Sequence, residues 1–224
     1  AYDAETGEPK WKSQLRTEEE EGTLGGGIAF DGIRLYITTG FSEVAALDST
    51  SGGIVWRRKL SNPMRSAPTV RDGRVFVVTI ANELFALSTT DGKTVWSHSG
   101  YSEVANLVGG ASPAVDSGIV IVPYSSGEIV ALRVENGREV WKDTLLPLQR
   151  TDPITSLAHV RGRPVIDRGR VFVISNSGRM VAIDLRTGYR VWEHTIGGVH
   201  GPWVAGEYIF VVSNKSEAIC LSRR

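Results

Sequence analysis

An all-β fold of repeated four-stranded antiparallel units is predicted by three observations: a motif that recurs five times in step, short β-branched runs at fixed distances from it, and glycine-centred turns between the runs. The motif is an Ala, a Gly six residues on and a Trp four residues after that. It occurs at Ala1/Gly7/Trp11, Ala46/Gly52/Trp56, Ala86/Gly92/Trp96, Ala131/Gly137/Trp141 and Ala182/Gly188/Trp192, at intervals of 40 to 51 residues. Periods of that length mark one supersecondary unit used repeatedly, as in propellers and solenoids.

Each unit reads as strands. The runs Val75 to Val78, Ile119 to Val122, Val171 to Ile174 and Tyr208 to Val212 each follow a Gly and are rich in β-branched and aromatic residues. Runs of four or five such residues are core strands rather than helices. Asp31-Gly32, Asp72-Gly73, Asp91-Gly92 and Asn136-Gly137 are tight-hairpin signals, because the turn needs a positive φ that Gly adopts without strain. Every unit is therefore a meander of antiparallel strands.

The spacings give the architecture. Pro68 to Trp96, Pro113 to Trp141 and Pro164 to Trp192 are each 28 residues. In the preceding unit Gly27 is assigned to the Pro place, which makes that distance 29 and puts an extra residue near Thr39 to Glu43; Gly201 takes the same place in the last unit. From each Trp to the next such position the spacing varies between 9 and 23 residues. Invariant sheets joined by variable links describe the blades of a β-propeller. Four complete blades are expected over residues 22–196, with partial blades at both ends of a single propeller region, 1–224. The terminal pieces belong either to a larger ring or to one shared fifth blade, with Ala218 in the motif Ala place. A Trp on each junction and the small Ala and Gly opposite it would hold neighbouring blades together.

Composition excludes several functions. Lys plus Arg and Asp plus Glu both number 25, so no global field draws in nucleic acid or an anionic membrane surface. Cys220 is the single cysteine and cannot form an intrachain disulfide. No run of 18 apolar residues spans a bilayer. Ala1 opens inside a repeat, so the native N-terminus is expected upstream.

The pattern A-x-D-x-x-x-G-x-x-x-W resembles the tryptophan-docking motif of the pyrroloquinoline-quinone-like (PQQ-like) propeller repeats. Residues 1–11, 46–56 and 182–192 match fully, while Ser88 and Arg133 replace the Asp in two copies. Within that superfamily, the run from Arg163 through Ala182-Ile-Asp-Leu-Arg-Thr-Gly to Cys220 is most similar to the BamB family of the outer-membrane β-barrel assembly machinery. The resemblance implies an eight-bladed ring and a non-catalytic scaffold on the periplasmic side of the outer membrane. It also implies anchoring by a lipid on an N-terminal Cys absent from this chain, and docking to the soluble periplasmic domains of a BamA-like barrel subunit.

The same repeats build quinone-dependent dehydrogenases, which hold their cofactor with a vicinal disulfide and a calcium ion. One cysteine makes the vicinal pair impossible, and no Asp, Glu and Asn cluster recurs on the interior strands to bind calcium. No cofactor, metal site or catalytic residue is assigned. A PQQ-dependent dehydrogenase and a sensor or ligand-binding propeller remain the alternatives.

Individual candidates have plain readings. His98 and His194 each follow a repeat Trp by two residues and read as solvated outer-strand residues. His159 and His200 lie on links without a partner at metal-ligand spacing. Gly25-Gly26-Gly27 lacks the Lys of a phosphate loop and allows close backbone packing. Ser125-Ser126-Gly127 is a turn. The acids Glu18 to Glu21 and the bases Arg57, Arg58, Lys59 and Arg65 read as solvated surface.

A binding surface is left, formed by the links, where loop variation is tolerated. The docking residues Gly7, Gly52, Gly92, Gly137, Gly188 and Trp11, Trp56, Trp96, Trp141, Trp192 form the frame. Partner-binding candidates are Tyr101, Leu107 and Val108 on the link 100–110, and Leu145, Leu146, Leu148, Leu157, His159 and Arg161 on the link 145–163. Their apolar side chains either meet a partner or cover the blade edge. In the resembled family the corresponding links engage the barrel subunit. Here His159 and Arg161 stand where acids are expected and Val108 where a base is expected.

Overall fold

A computed structural model describes residues 1–15, 26–101, 110–145 and 160–224. Among these the ordered elements are all strands. The first sheet is β1 (Ile28–Phe30), β2 (Arg34–Thr38), β3 (Glu43–Asp48) and β4 (Ile54–Lys59). The second is β5 (Thr69–Arg71), β6 (Arg74–Val78), β7 (Glu83–Ser88) and β8 (Thr94–Ser99). The third is β9 (Ala114–Asp116), β10 (Ile119–Pro123), β11 (Glu128–Arg133) and β12 (Glu139–Thr144). The fourth is β13 (Val165–Asp167), β14 (Arg170–Ile174), β15 (Met180–Asp184) and β16 (Arg190–His194), and a three-stranded sheet of β17 (Trp203–Ala205), β18 (Tyr208–Val212) and β19 (Ala218–Ser222) follows.

Every sheet pairs its strands in chain order and antiparallel. The first strands β1, β5, β9, β13 and β17 are successive neighbours, so they form the inner edge about which the blades are arranged. This is the β-propeller that the spacings predict.

Turn chemistry explains the meander. Asp72-Gly73, Ser117-Gly118 and Arg168-Gly169 all have positive φ at both residues, the signature of a two-residue hairpin whose twist matches the strands it joins. The motif Asp has a different task. Asp48 Oδ1 accepts the backbone N–H of Thr50 and Ser51, and Asp184 Oδ1 accepts those of Arg186 and Thr187. Asp3 does the same for Glu5 and Thr6. The carboxylate thus closes the turn ahead of the motif Gly. Asp3 is pushed down to about 2 by its Lys10 contact first and these backbone bonds second.

Two registers differ from the sequence expectation. Tyr36 pairs with Ala29 just as Phe76 pairs with Thr69, which puts Ile28, not Gly27, in the Pro place, 28 residues before Trp56. No residue is inserted between Thr39 and Glu43; the Gly27 assignment mistook the residue preceding the strand for the strand itself. In the last sheet Phe210 pairs with Trp203 and with Cys220, as Phe172 pairs with Val165 and Ala182. Pro202 therefore takes the Pro place and Cys220, not Ala218, the motif Ala place. Residues 1–15 do not complete this sheet among the described residues: Tyr2 bridges Pro9, and Trp11 packs on the first blade.

Each sheet has a rear face and a forward face, because side chains alternate along a strand. Phe76 and Val78 on the forward face of the second blade pack against Val120 and Val122 on the rear of the third. Phe172 and Ile174 of the fourth meet Ile209 and Val211 of the last sheet in the same way. The hydrophobic core is therefore a series of interfaces between neighbouring blades.

Candidate functional site

The motif residues meet across these interfaces. A Cβ at Gly52 would stand 2.3 Å from Trp11 Cε3; at Gly92, 2.6 Å from Trp56 Cε3; at Gly137, 2.5 Å from Trp96 Cε3; and at Gly188, 2.6 Å from Trp141 Cγ. Each indole thus lies on the Gly of the following blade. Those glycines also hold φ values near +70°, where a side chain is strained. The indole N–H donates to a carbonyl in the same turn: Trp11 to Ser49 at 3.1 Å, Trp56 to Thr89 at 2.9 Å, Trp96 to Val134 at 2.9 Å and Trp141 to Leu185 at 2.8 Å. Trp192 reaches the Arg223 carbonyl at 3.4 Å. Gly7 has nothing within 4 Å of its Cβ position. These contacts hold blades; they perform no chemistry.

The opposite rim carries the links and the turns between second and third strands. Four of the five turns share one design: a hydroxyl residue, then a left-handed residue, then most often Glu. Thr39, Thr79, Ser175 and Ser213 accept the backbone N–H of Glu43, Glu83, Arg179 and Glu217. Ser42, Asn82, Gly127, Gly178 and Ser216 have positive φ. The carbonyls of Ser42, Asn82 and Gly127 each accept the N–H of Leu60, Gly100 and Leu145, the first residues of the links. Backbone bonding therefore sets where every such link leaves its blade. The pattern was legible as a hydroxyl residue four positions before Glu, but strand periodicity alone does not display it.

The third blade departs from the design. Tyr124 occupies the hydroxyl position and is fully buried, with its ring 2.5 Å from where a Cβ at Gly100 would stand. Its hydroxyl lies 2.8 Å from His98 Nδ1, and the two rings stack at 6.0 Å and 12°. Burial pushes the Tyr124 phenol up, with the Glu128 charge adding to it. Burial lowers the His98 imidazole below 6.5, opposed by the charges of Glu139 and Glu128. His98 is therefore not a solvated outer-strand residue: its neutral ring is half-buried against the next blade. His194 is exposed and lies against Trp192.

The next residue of the link is clamped from both sides. Glu128, 8% exposed, accepts the Tyr101 N–H at 3.0 Å and the Ser126 hydroxyl at 2.9 Å. Asn82, 3% exposed, donates to the Tyr101 carbonyl at 2.7 Å and accepts from Ser125. The Tyr101 side chain is left 69% exposed. A cleft of about 350 Å³ lined by His98, Tyr101, Glu128, Glu139 and Lys142 opens beside it.

Of the other partner-binding candidates, Leu145 is fully buried with Ile129, Trp141 and Val173. It belongs to the core and not to a docking surface, because its backbone is tied to the Gly127 turn and its side chain turns inward. Arg161 is partly buried. Leu107, Val108, Leu146, Leu148, Leu157 and His159 lie outside the described residues, as do Glu18 to Glu21. Arg57 pairs with Glu43 at 3.3 Å and also reaches the Leu15 carbonyl. At Gly26 and Gly27 a Cβ would meet Thr38 O at 2.3 Å and Ala67 Cβ at 2.5 Å, so close backbone packing is their role. No group of three His, Cys, Asp or Glu side chains converges on one point among the described residues, and no helix there is long and apolar enough to cross a membrane.

Repeated antiparallel blades, each joined by an indole to the Gly of the next, define a propeller of PQQ-like repeats. The family described as "Outer membrane protein assembly factor BamB" matches residues 1–224, and the chain belongs to it. A relative from Yersinia pestis with that name is 28% identical over 227 residues, covering 99% of this chain and 58% of the relative. The crystal structure of BamB from Moraxella catarrhalis aligns with a TM-score of 0.81 at 24% identity, over 90% of this chain and 61% of that one. Quinohemoprotein alcohol dehydrogenase from Comamonas testosteroni aligns at 0.72 and 16% identity, over 90% of this chain and 41% of that one, a likeness of fold alone. The chain spans about three fifths of the length of the curated relatives it matches.

Proposed function

We propose that the chain is a non-catalytic scaffold of outer-membrane protein assembly, on the periplasmic side of the outer membrane. Its link face docks the soluble periplasmic domains of the barrel subunit. Membership of the BamB family supports the process, and the two-sided clamp on Tyr101 supports the surface. An exposed tyrosine on a backbone fixed by two buried side chains from different blades is a preorganised aromatic anchor, the kind of residue that contributes disproportionately to binding. The docking indoles, by contrast, are spent on blade junctions.

The test is retention of the chain on immobilised periplasmic domains of the barrel subunit. Tyr101→Ala should weaken retention about tenfold, and Leu107→Glu with Leu148→Glu should weaken it further, with circular dichroism unchanged. Full retention by the folded triple variant would refute the surface. Alcohol oxidation on addition of quinone would instead favour the dehydrogenase reading.

A further inference from the structure

On the rim away from the links, the junction between the third and fourth blades breaks a pattern that its neighbours keep. In the first and fourth blades the second strand opens on an Arg paired with the motif Asp, Arg34 with Asp48 and Arg170 with Asp184. These guanidiniums bridge the junction: Arg34 donates to the Thr89 carbonyl at 2.7 Å and Arg170 to that of Arg223 at 2.6 Å, each the residue just past the third strand of the next sheet. Arg74 stands in the same place in the second blade, paired with Ser88. In the third blade the pair is Ile119 and Arg133, so the bridging arginine is gone and a second arginine replaces the turn-closing carboxylate. A cleft of about 770 Å³ lies there, between the third blade and the motif turn of the fourth. Its walls include Ile119 and Val140, which pack partly buried on the core between the two blades, and the buried Val134. Arg133 and Arg186 stand exposed at its mouth. Among the described residues neither guanidinium has a hydrogen bond or a salt bridge. Asp184, the carboxylate beside Arg186, is taken up by the Thr187 hydroxyl and two backbone N–H groups of its own turn.

We propose that this cleft binds a small organic monocarboxylate with an apolar body. The volume is that of a small-molecule site, which combines apolar walls with a few polar groups that fix orientation. The carboxylate lies between Arg133 and Arg186, whose planar forks match its two oxygens, and the apolar body lies on Ile119, Val134 and Val140. Charge sets the class of anion. Glu135 also lines the cleft, exposed, with its carboxylate accepting the Asn136 amide at 3.2 Å. Two guanidiniums against that one carboxylate leave a single positive charge, which a monocarboxylate matches and a phosphate dianion exceeds. Both walls come from blades within the chain, so the site is built by two substitutions in one repeat: Ile119 makes the space, and Arg133 supplies the charge.

Titration calorimetry of the 224-residue chain with octanoate should show one saturable site with Kd on the order of 0.1 to 1 mM. Acetate, which lacks the apolar body, and 1-octanol, which lacks the charge, should each bind at least about tenfold more weakly. Arg133→Gln and Arg186→Gln, both at exposed positions, should each weaken octanoate about tenfold, and Glu135→Gln should tighten it. Ile119→Arg with Arg133→Asp rebuilds the pair of the first and fourth blades. This double variant should keep the parent's circular dichroism and urea midpoint while losing octanoate. Absence of saturable octanoate binding overturns the proposal. So does octanoate binding that the folded double variant retains, or acetate or 1-octanol binding as tightly as octanoate.

Discussion

Replacing Trp141 by Ala, alone and together with Gly188→Ala, tests the blade junction most directly. Trp141 is 8% exposed, its indole N–H donates to Leu185 at 2.8 Å, and its ring lies on Gly188. Truncating a buried Trp costs about 3 to 5 kcal/mol through lost transfer energy and the cavity left behind. Leaving the Leu185 carbonyl without its donor adds about 1 kcal/mol or more where water does not enter. Gly188→Ala is harmful for two separable reasons. At φ +76° a Cβ costs about 1 to 2 kcal/mol in the backbone, and contact at 2.6 Å with Trp141 Cγ costs about 1 to 3 kcal/mol more. Only the second cost vanishes once the indole is gone. The double variant should therefore be more stable than the sum of the singles predicts, by about 1 to 3 kcal/mol. Urea unfolding followed by far-ultraviolet circular dichroism measures this without relying on tryptophan emission. Additivity within about 0.5 kcal/mol would show that indole and glycine do not bear on one another, and the junction as described would be wrong.

Two further outcomes follow from particular residues. His98 has its imidazole pKa lowered in the fold, so the unfolded chain binds more protons below about pH 6.5. Stability should fall as pH drops through that value, and His98→Gln should flatten the pH dependence relative to the parent, the neighbouring Tyr124, Glu128, Glu139 and Lys142 being common to both. Identical slopes in urea midpoint against pH would refute the lowered imidazole pKa of the half-buried His98. Leu145→Ala should destabilise by about 2 to 5 kcal/mol as a core cavity while leaving retention on the barrel subunit's domains unchanged for the folded fraction; a docking loss without destabilisation would return Leu145 to the surface.

Strand order, blade spacing and the motif register were readable because each is a matter of period and of residue size. Strands show as alternating β-branched runs, and the motif shows because an indole must meet a residue with no side chain. The registers at the two ends were not readable in that way. Gly27 and Ala218 match the pattern by type, while Ile28 and Cys220 hold the places by hydrogen bonding, and a match by type cannot see pairing. His98 was misplaced for a related reason. Its position in the repeat is exposed at Arg58 and His194, and only the replacement of a turn hydroxyl by Tyr124, 26 residues on, brings a ring over it. Leu145 was assigned by its place at the start of a long link, whereas the bond from its N–H to Gly127 still belongs to the blade. The Tyr101 clamp went unseen because Asn82 and Glu128 are far apart in sequence and unremarkable singly.

A chain of near-identical blades has an assembly problem: any forward face could close on any rear face, and a wrong closure would bury almost as much apolar surface as the right one. The Tyr124–His98 contact supplies an address. Among the described blades only the third offers a phenol at that turn, and only the second has an imidazole ready for it with Gly100 leaving room; His194 on the fourth blade has no such tyrosine facing it among the described residues. A mispaired third blade would bury its hydroxyl without that partner, a cost borne by the wrong order and not by the right one. One aromatic substitution in a turn can thus fix the sequence in which blades follow one another, a property that no amount of improved packing at the shared junctions would provide.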